Sequence, residues 1–271
     1  MTFRLLIALV AALAATAAAP ATAGAAVDPT LTADGGFATR TDAGALSGAP
    51  HAVAVSGDRI YQLGETAGAG GGLDIGIVAR HADGTLDTGF AGDGRLTLSV
   101  AAPARNDRAA DLVVLPDGHL RIAGSTDVAT SGAERDDVLL AGLRPDGSRD
   151  PAFGANGIAT FPATGGTADD AATAIALAPD RRLAVAGNTG TSDAFVTVRD
   201  ADGSPATGFG GVRSLAGARA AGIAWRPDGT VAALLQRASG AVLHAFTAAG
   251  TDDSGFGAAG GELVLPLTPP A

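Results

Sequence analysis

Beyond residue 50 the chain alternates short apolar runs with turn signals at a regular pitch. One phrase recurs four times: VAVSGDRIYQLG (53–64), VVLPDGHLRIAG (113–124), IALAPDRRLAVAG (175–187) and IAWRPDGTVAALL (223–235). Each reads as strand, tight turn, strand, with apolar side chains alternating about the turn residues. Asp117-Gly118 and Asp228-Gly229 sit where a hairpin wants positive φ. Asp180-Arg181 lacks the glycine, which predicts a more strained or a longer turn there.

A second phrase closes each unit with one more strand and a turn: IGIVARHADG (75–84), VLLAGLRPDG (138–147), FVTVRDADG (195–203) and VLHAFTAAG (242–250). A third follows it: LDTGFAGDG (86–94), DPAFGANG (150–157), ATGFGG (206–211) and DDSGFGAAG (252–260), with a degenerate copy, DPTLTADGG (28–36), ahead of them. Its anchors are Leu31, Phe90, Phe153, Phe209 and Phe256, spaced by 59, 63, 56 and 47 residues. A short strand comes after each anchor. The unit is therefore four strands in ~55 residues, within the range of tandem repeat folds.

Four short antiparallel strands copied in tandem predict an all-β protein, a β-propeller of about four four-stranded blades. A single blade cannot bury both faces, so neighbouring blades must stack. The Phe anchors are expected to wedge between them, with Asp87 and Asp150 bonded to turn amides. The repeats divide the chain at about 28–93, 94–156, 157–211 and 212–266, within a repeat domain of 26–266 and ahead of a tail at 267–271. Strands of the post-anchor type number five (near 36–40, 94–99, 157–161, 212–215 and 261–266), against four of each other type. Three outcomes are open: a spare end strand, an open ring, or a fifth blade completed by another chain. Unpaired blade edges invite pairing with other chains.

The combination of a PDG hairpin, a strand ending in DG and the phrase D-x-x-F-G-x-x-G resembles the bacterial delta-60 repeat over roughly residues 27–266. The resemblance implies a propeller-like array in an exported protein, and it brings no catalytic residues. It weakens where Ala206 replaces the anchor-loop Asp and where Ala249-Gly250 replaces the closing Asp-Gly.

The first 25 residues stand apart. Met1 to Arg4 are followed by an apolar run, Leu5 to Ala19, then Pro20 and two competing A-x-A sites, Ala21-Thr22-Ala23 and Ala23-Gly24-Ala25. This order predicts a signal peptide over 1–25 and a secreted or extracytoplasmic protein. The run is shorter than the ~20 residues of a membrane span. Cleavage after Ala23 takes 23 of the 271 residues and leaves 248, enough for one β domain. No Cys is present, so no disulfide supports the fold. The 40 Gly and the aromatic share of 4% suit many tight turns better than helices. There is no Lys. Without Arg4, 17 arginines face 28 acids, a balance that argues against nucleic acid as a partner.

The residue types that carry chemistry are scattered. His51, His81, His119 and His244 occupy different repeat positions and show no metal spacing. Asp200-x-Asp202-Gly203 is half of a calcium loop without its later acidic ligand. Asp253-Ser254-Gly255 falls where Thr88-Gly89 and Thr207-Gly208 stand in other copies, so the repeat accounts for it. Adjacent acids such as Asp136-Asp137 point to opposite faces of a strand. Trp225 and Tyr61 lie in predicted core strands, with Ala54, Val114 and Leu177 as the equivalents of Trp225. If the first strand of each unit is innermost, His51 and Asp111, with Ala174 and Gly222, precede it around the axis. That mouth is the candidate binding site. No catalytic residue, cofactor or metal is expected. The leading expectation is an exported, non-catalytic scaffold for an unknown protein or small-molecule ligand. Two other readings stay open: a propeller hydrolase or lactonase with an axial site, and a truncated piece of a longer array.

Overall fold

The computed structural model describes residues 50–265 except 69, 166, 258 and 259. The leader, the degenerate copy with Leu31, the strand near 36–40 and the tail lie outside the described residues. Sixteen strands form four antiparallel sheets, and no helix occurs among the described residues. Blade 1 contains β1 (Pro50–Ser56), β2 (Arg59–Ala67), β3 (Leu73–His81) and β4 (Arg95–Leu98). Blade 2 contains β5 (Asp107–Val114), β6 (Leu120–Asp127), β7 (Asp136–Leu143) and β8 (Ile158–Phe161). Blade 3 contains β9 (Asp170–Leu177), β10 (Leu183–Thr189), β11 (Asp193–Arg199) and β12 (Arg213–Leu215). Blade 4 contains β13 (Ala218–Trp225), β14 (Val231–Arg237), β15 (Gly240–Phe246) and β16 (Glu262–Val264). Each blade is a simple meander. The described residues form an all-β propeller of four four-stranded blades. The blades run in a different phase from the sequence repeats, because each post-anchor strand pairs back onto the sheet before it.

Every first strand carries a bulge near its start, at Pro50/Ala52, Ala109/Asp111, Ala172/Ala174 and Ala220/Gly222. In three blades the partner is a glycine: Gly64, Gly124 and Gly187. A Cβ on Gly124 would lie 1.9 Å from the Arg108 carbonyl oxygen, and one on Gly187 would lie 2.2 Å from that of Ala171. In blades 2 and 3 the bulge pushes the strand backbone onto its neighbour and excludes a side chain there, whereas the blade 4 bulge accommodates Leu235. The register also corrects one alignment: the blade 1 equivalent of Trp225 is Val55, not Ala54, because β1 and β2 join through a two-residue turn.

The Asp180-Arg181 turn has the same length as its Asp-Gly counterparts and is strained. Arg181 takes φ +70°, where Gly118 and Gly229 take +82° and +78°. A left-handed conformation costs a residue with a Cβ ~1–2 kcal/mol. Arg181 recovers part of this through an exposed ion pair with Asp117 at 2.7 Å. Arg181→Gly is expected to stabilise the protein by ~1 kcal/mol in urea denaturation. An unchanged or lowered midpoint would contradict this reading of the turn.

Three apolar clusters lie between blades 1 and 2, 2 and 3, and 3 and 4. Phe90, Phe153 and Phe209 are fully buried in them. Tyr61 meets Phe90 edge-on at 5.8 Å. Each anchor slides beneath the closing turn of the next blade. A Cβ on Gly147 would lie 3.1 Å from the Phe90 ring, and one on Gly203 would lie 2.8 Å from the Phe153 ring. The Ala91 N–H donates to the Asp146 carbonyl at 2.8 Å, and the Gly154 N–H to the Asp202 carbonyl at 2.7 Å. The closing Asp-Gly therefore does two jobs: its glycine makes the turn and leaves room for the preceding blade's phenylalanine.

The ring is open. The innermost strands pack as β1 on β5, β5 on β9 and β9 on β13, with no comparable packing of β13 on β1. Phe256, the anchor of blade 4, is only half-buried. Val53 is 56% exposed, whereas its equivalents Leu112, Ile175 and Ile223 are buried against the preceding blade.

Candidate functional site

The axial residues of the sequence reading do not form a set. His51 falls at the bulge, beside Ala110, Thr173 and Ala221. Asp111 falls one register step later, beside Ala52, Ala174 and Gly222. The His51 imidazole lies 3.5 Å from Glu65. Asp111 reaches across to the next blade, where its carboxylate accepts the Ile175 N–H at 3.0 Å and also the Leu112 N–H at 2.8 Å. Ile175 belongs to an innermost strand, whose inward edge has no strand partner. Asp111 thus ties blades 2 and 3 together at the axis. Burial pushes its carboxyl up to about 6, and the two amide donors pull the other way. No hydrogen bond or ion pair joins His51 to Asp111.

Most other polar clusters are structural. The anchor-loop aspartates cap their own turns, as Asp87 does with the Gly89 N–H at 2.9 Å and Asp150 with the Ala152 N–H at 3.1 Å. The same acids clamp arginines: Arg59 with Asp87, Arg121 with Asp150, and Arg226 with Asp253. Asp253 also accepts the Gly255 N–H, as the repeat implies for the Asp-Ser-Gly segment. His244, buried and stacked on Phe246, bridges Asp252 at 2.9 Å and Glu262 at 3.0 Å. Asp202 spends its carboxylate on the Ser204 N–H, like Asp83, Asp146 and Asp228 in the equivalent or similar turns. Trp225 is partly buried and donates its indole N–H to the Ala176 carbonyl at 3.1 Å. Among the described residues no three acids or histidines gather where they could hold a metal ion.

One group departs from this pattern. Two arginines are buried among the described residues, Arg121 and Arg199. Arg121 has Asp150 at 2.9 Å and lies over the Phe153 ring. Arg199, at the end of β11 and only 6% exposed, has no carboxylate or carbonyl partner among the described residues, and its buried Nε makes no hydrogen bond. Its guanidinium lies 3.4 Å from the centre of the Phe161 ring. Burial alone pushes it down to about 10. It lines a cavity of about 480 Å³ between blades 2 and 3, walled by Phe161 and Ile158 of β8 and by the 202–205 turn. The adjacent anchor loop carries Ala206 where blades 1, 2 and 4 carry Asp, so the local acid that could neutralise an arginine is missing. A larger hollow of about 660 Å³ beside the 100–105 crossover contains Arg105, but Asp127 already binds that side chain at 2.9 Å.

Sequence reading missed Arg199. In the sequence the Ala206 replacement reads only as a weakened copy of the repeat. The available signal was an arginine in a buried strand of the one repeat without its acid. That signal becomes legible only when β8 of the preceding blade is known to cover it.

No family model matches the sequence, and no curated protein matches it. Among solved structures the chain is similar to puromycin hydrolase, with 18% identity and a TM-score of 0.42, over 77% of this chain and 39% of that one. It is also similar to the GH43 endo-arabinanase of Bacillus licheniformis, with 14% identity and a TM-score of 0.37, over 75% of this chain and 73% of that one. The native arabinanase of Bacillus subtilis shows 10% identity and a TM-score of 0.38, over 75% of this chain and 74% of that one. The chain spans well under half the length of puromycin hydrolase. Among the described residues no helix is long and apolar enough to cross a membrane.

Proposed function

We propose that the protein is an exported, non-catalytic propeller scaffold of the delta-60 repeat type, and that it binds an anionic group in the cleft between blades 2 and 3. One observation carries the binding site: Arg199 is a buried cation without a counter-charge among the described residues, facing a cavity. A buried charge is normally paired, because leaving water costs several kcal/mol per ion. A ligand carboxylate or phosphate would supply the missing partner, and the guanidinium fork suits either bidentately. The Phe161 ring holds the guanidinium plane in place, so little side-chain entropy is lost on binding. The N-terminal apolar run, Leu5 to Ala19, with its A-x-A sites supports export. The structural employment of most other acids and histidines supports a binding role over hydrolysis.

The test is Arg199→Met, which keeps the stem on Phe161 and removes the charge. Without ligand the variant is expected to be more stable than the parent by ~1–3 kcal/mol, as an unpaired buried charge is relieved. Inorganic phosphate and citrate are expected to raise the melting temperature of the parent and leave the variant unmoved. Calorimetric titration of both proteins checks the same point. Equal responses to the anions would remove Arg199 from the binding role. A loss of stability in the variant would show that the charge has a structural partner.

A further inference from the structure

We propose that the open ends of the propeller pair with each other in a second copy of the chain, blade 4 of one molecule packing on blade 1 of the next. The two ends carry the unused halves of one interface, which the molecule builds three times within itself.

The unused knob is on blade 4. Phe256 occupies the place of Phe90, Phe153 and Phe209, yet it is half-buried where they are fully buried. Its loop has the knob conformation. Gly257 takes φ +71° and leaves no room for a Cβ beside the Glu262 carbonyl, as Gly154 does beside that of Ile158. In blade 2 the Gly154 N–H donates across the interface. The Gly257 N–H has no such partner among the described residues. Leu263, on the outer strand of the same blade, is 43% exposed.

The unused socket is on blade 1. Its closing turn is Asp83-Gly84, equivalent to Asp146-Gly147 and Asp202-Gly203. A Cβ on Gly147 or Gly203 would press on the preceding blade's phenylalanine, whereas one on Gly84 would meet no described atom within 4 Å. The Asp146 and Asp202 carbonyls accept an N–H from the preceding anchor loop, and the Asp83 carbonyl accepts none among the described residues. On the same face Val53 and Val55 are 56% and 67% exposed. Their equivalents across the other interfaces are Leu112 and Val114, Ile175 and Leu177, and Ile223 and Trp225, all buried or partly buried in the inter-blade clusters.

Each end therefore presents the shape, the apolar residues and the free backbone group that the other lacks. A second copy satisfies both ends, whereas a segment of the same chain could fill only one at a time. Residues 28–36 are the rival occupant, with Leu31 as a knob for the blade 1 socket. A head-to-tail contact is heterologous, so two copies that use it twice close a ring of eight blades, and a rotation that does not close gives a longer assembly.

Sedimentation velocity on the full chain tests this with two variants, Phe256→Asp on the knob and Gly84→Arg on the socket. The parent is expected to sediment as a dimer or larger species and each variant alone as a monomer. Each variant retains the end that the other has lost. Mixing them is therefore expected to restore a dimer held by one intact interface, a result that misfolding of either variant would not produce. A monomeric parent, as capping by residues 28–36 would give, overturns the proposal. Assembly that survives both substitutions also overturns it.

Discussion

Phe153→Ala is expected to lower the unfolding free energy by ~3–5 kcal/mol, the range for truncating a fully buried phenylalanine. Phe153 has no exposed surface, lies under Gly203 of the next blade and carries the Arg121 guanidinium 4.6 Å above its ring. Truncation opens a cavity at the junction of blades 2 and 3. It also removes the surface on which the buried Arg121–Asp150 pair rests. The neighbours cannot close the gap easily, because the Gly154 N–H holds the anchor loop to the Asp202 carbonyl. Phe256→Ala removes the same atoms from a half-buried site and is expected to cost the monomer under ~2 kcal/mol. Urea denaturation of both variants under monomeric conditions checks the pair. Equal losses would mean that the four anchors share one environment and that the ring is not open at blade 4.

The second large effect is a pH dependence at Asp111. Its carboxyl titrates near 6 in the folded protein, against 3.8 when unperturbed. The folded state therefore holds this proton more tightly than the unfolded one. The contribution is favourable at low pH and is lost as the pH rises from about 4 through about 6. Above 6 the charged carboxylate costs the fold ~2–3 kcal/mol. The turn-capping acids, such as Asp83, Asp146 and Asp202, are shifted down by their hydrogen bonds and give the opposite slope. The measurement is accordingly a difference. The stability of the parent minus that of Asp111→Asn is expected to rise by ~2–3 kcal/mol between pH 7 and pH 4. A flat difference would show that solvent reaches the Asp111 carboxylate freely.

Much of the architecture is legible in the sequence. Phe90, Phe153 and Phe209 announce the repeat because one inter-blade contact is made three times, and the same contact selects the same residues. Asp87 and Asp150 were legible as turn caps because an Asx turn is local in sequence. The strain at Arg181 could be foreseen from the missing glycine. The arginine clamps could not, since Arg59, Arg121 and Arg226 come from different positions in their blades and meet equivalent acids only after folding. His51 and Asp111 line up in the sequence phrases because the β1–β2 turn is one residue shorter than its counterparts, so phrases matched on the second strand slip by one residue on the first.

The sequence by itself determined the strand count of a blade, the turns between strands and the residue that anchors each blade to the next. These depend on alternation, on positive φ and on short-range hydrogen bonds, all contained within a few residues. Tertiary structure alone decided that, among the described residues, the ring stays open, Phe256 lacks the cover its three counterparts have, and Arg199 is buried without a counter-charge. Each of those outcomes depends on which blade lies beside which, and burial and desolvation are properties of that neighbour rather than of the residue.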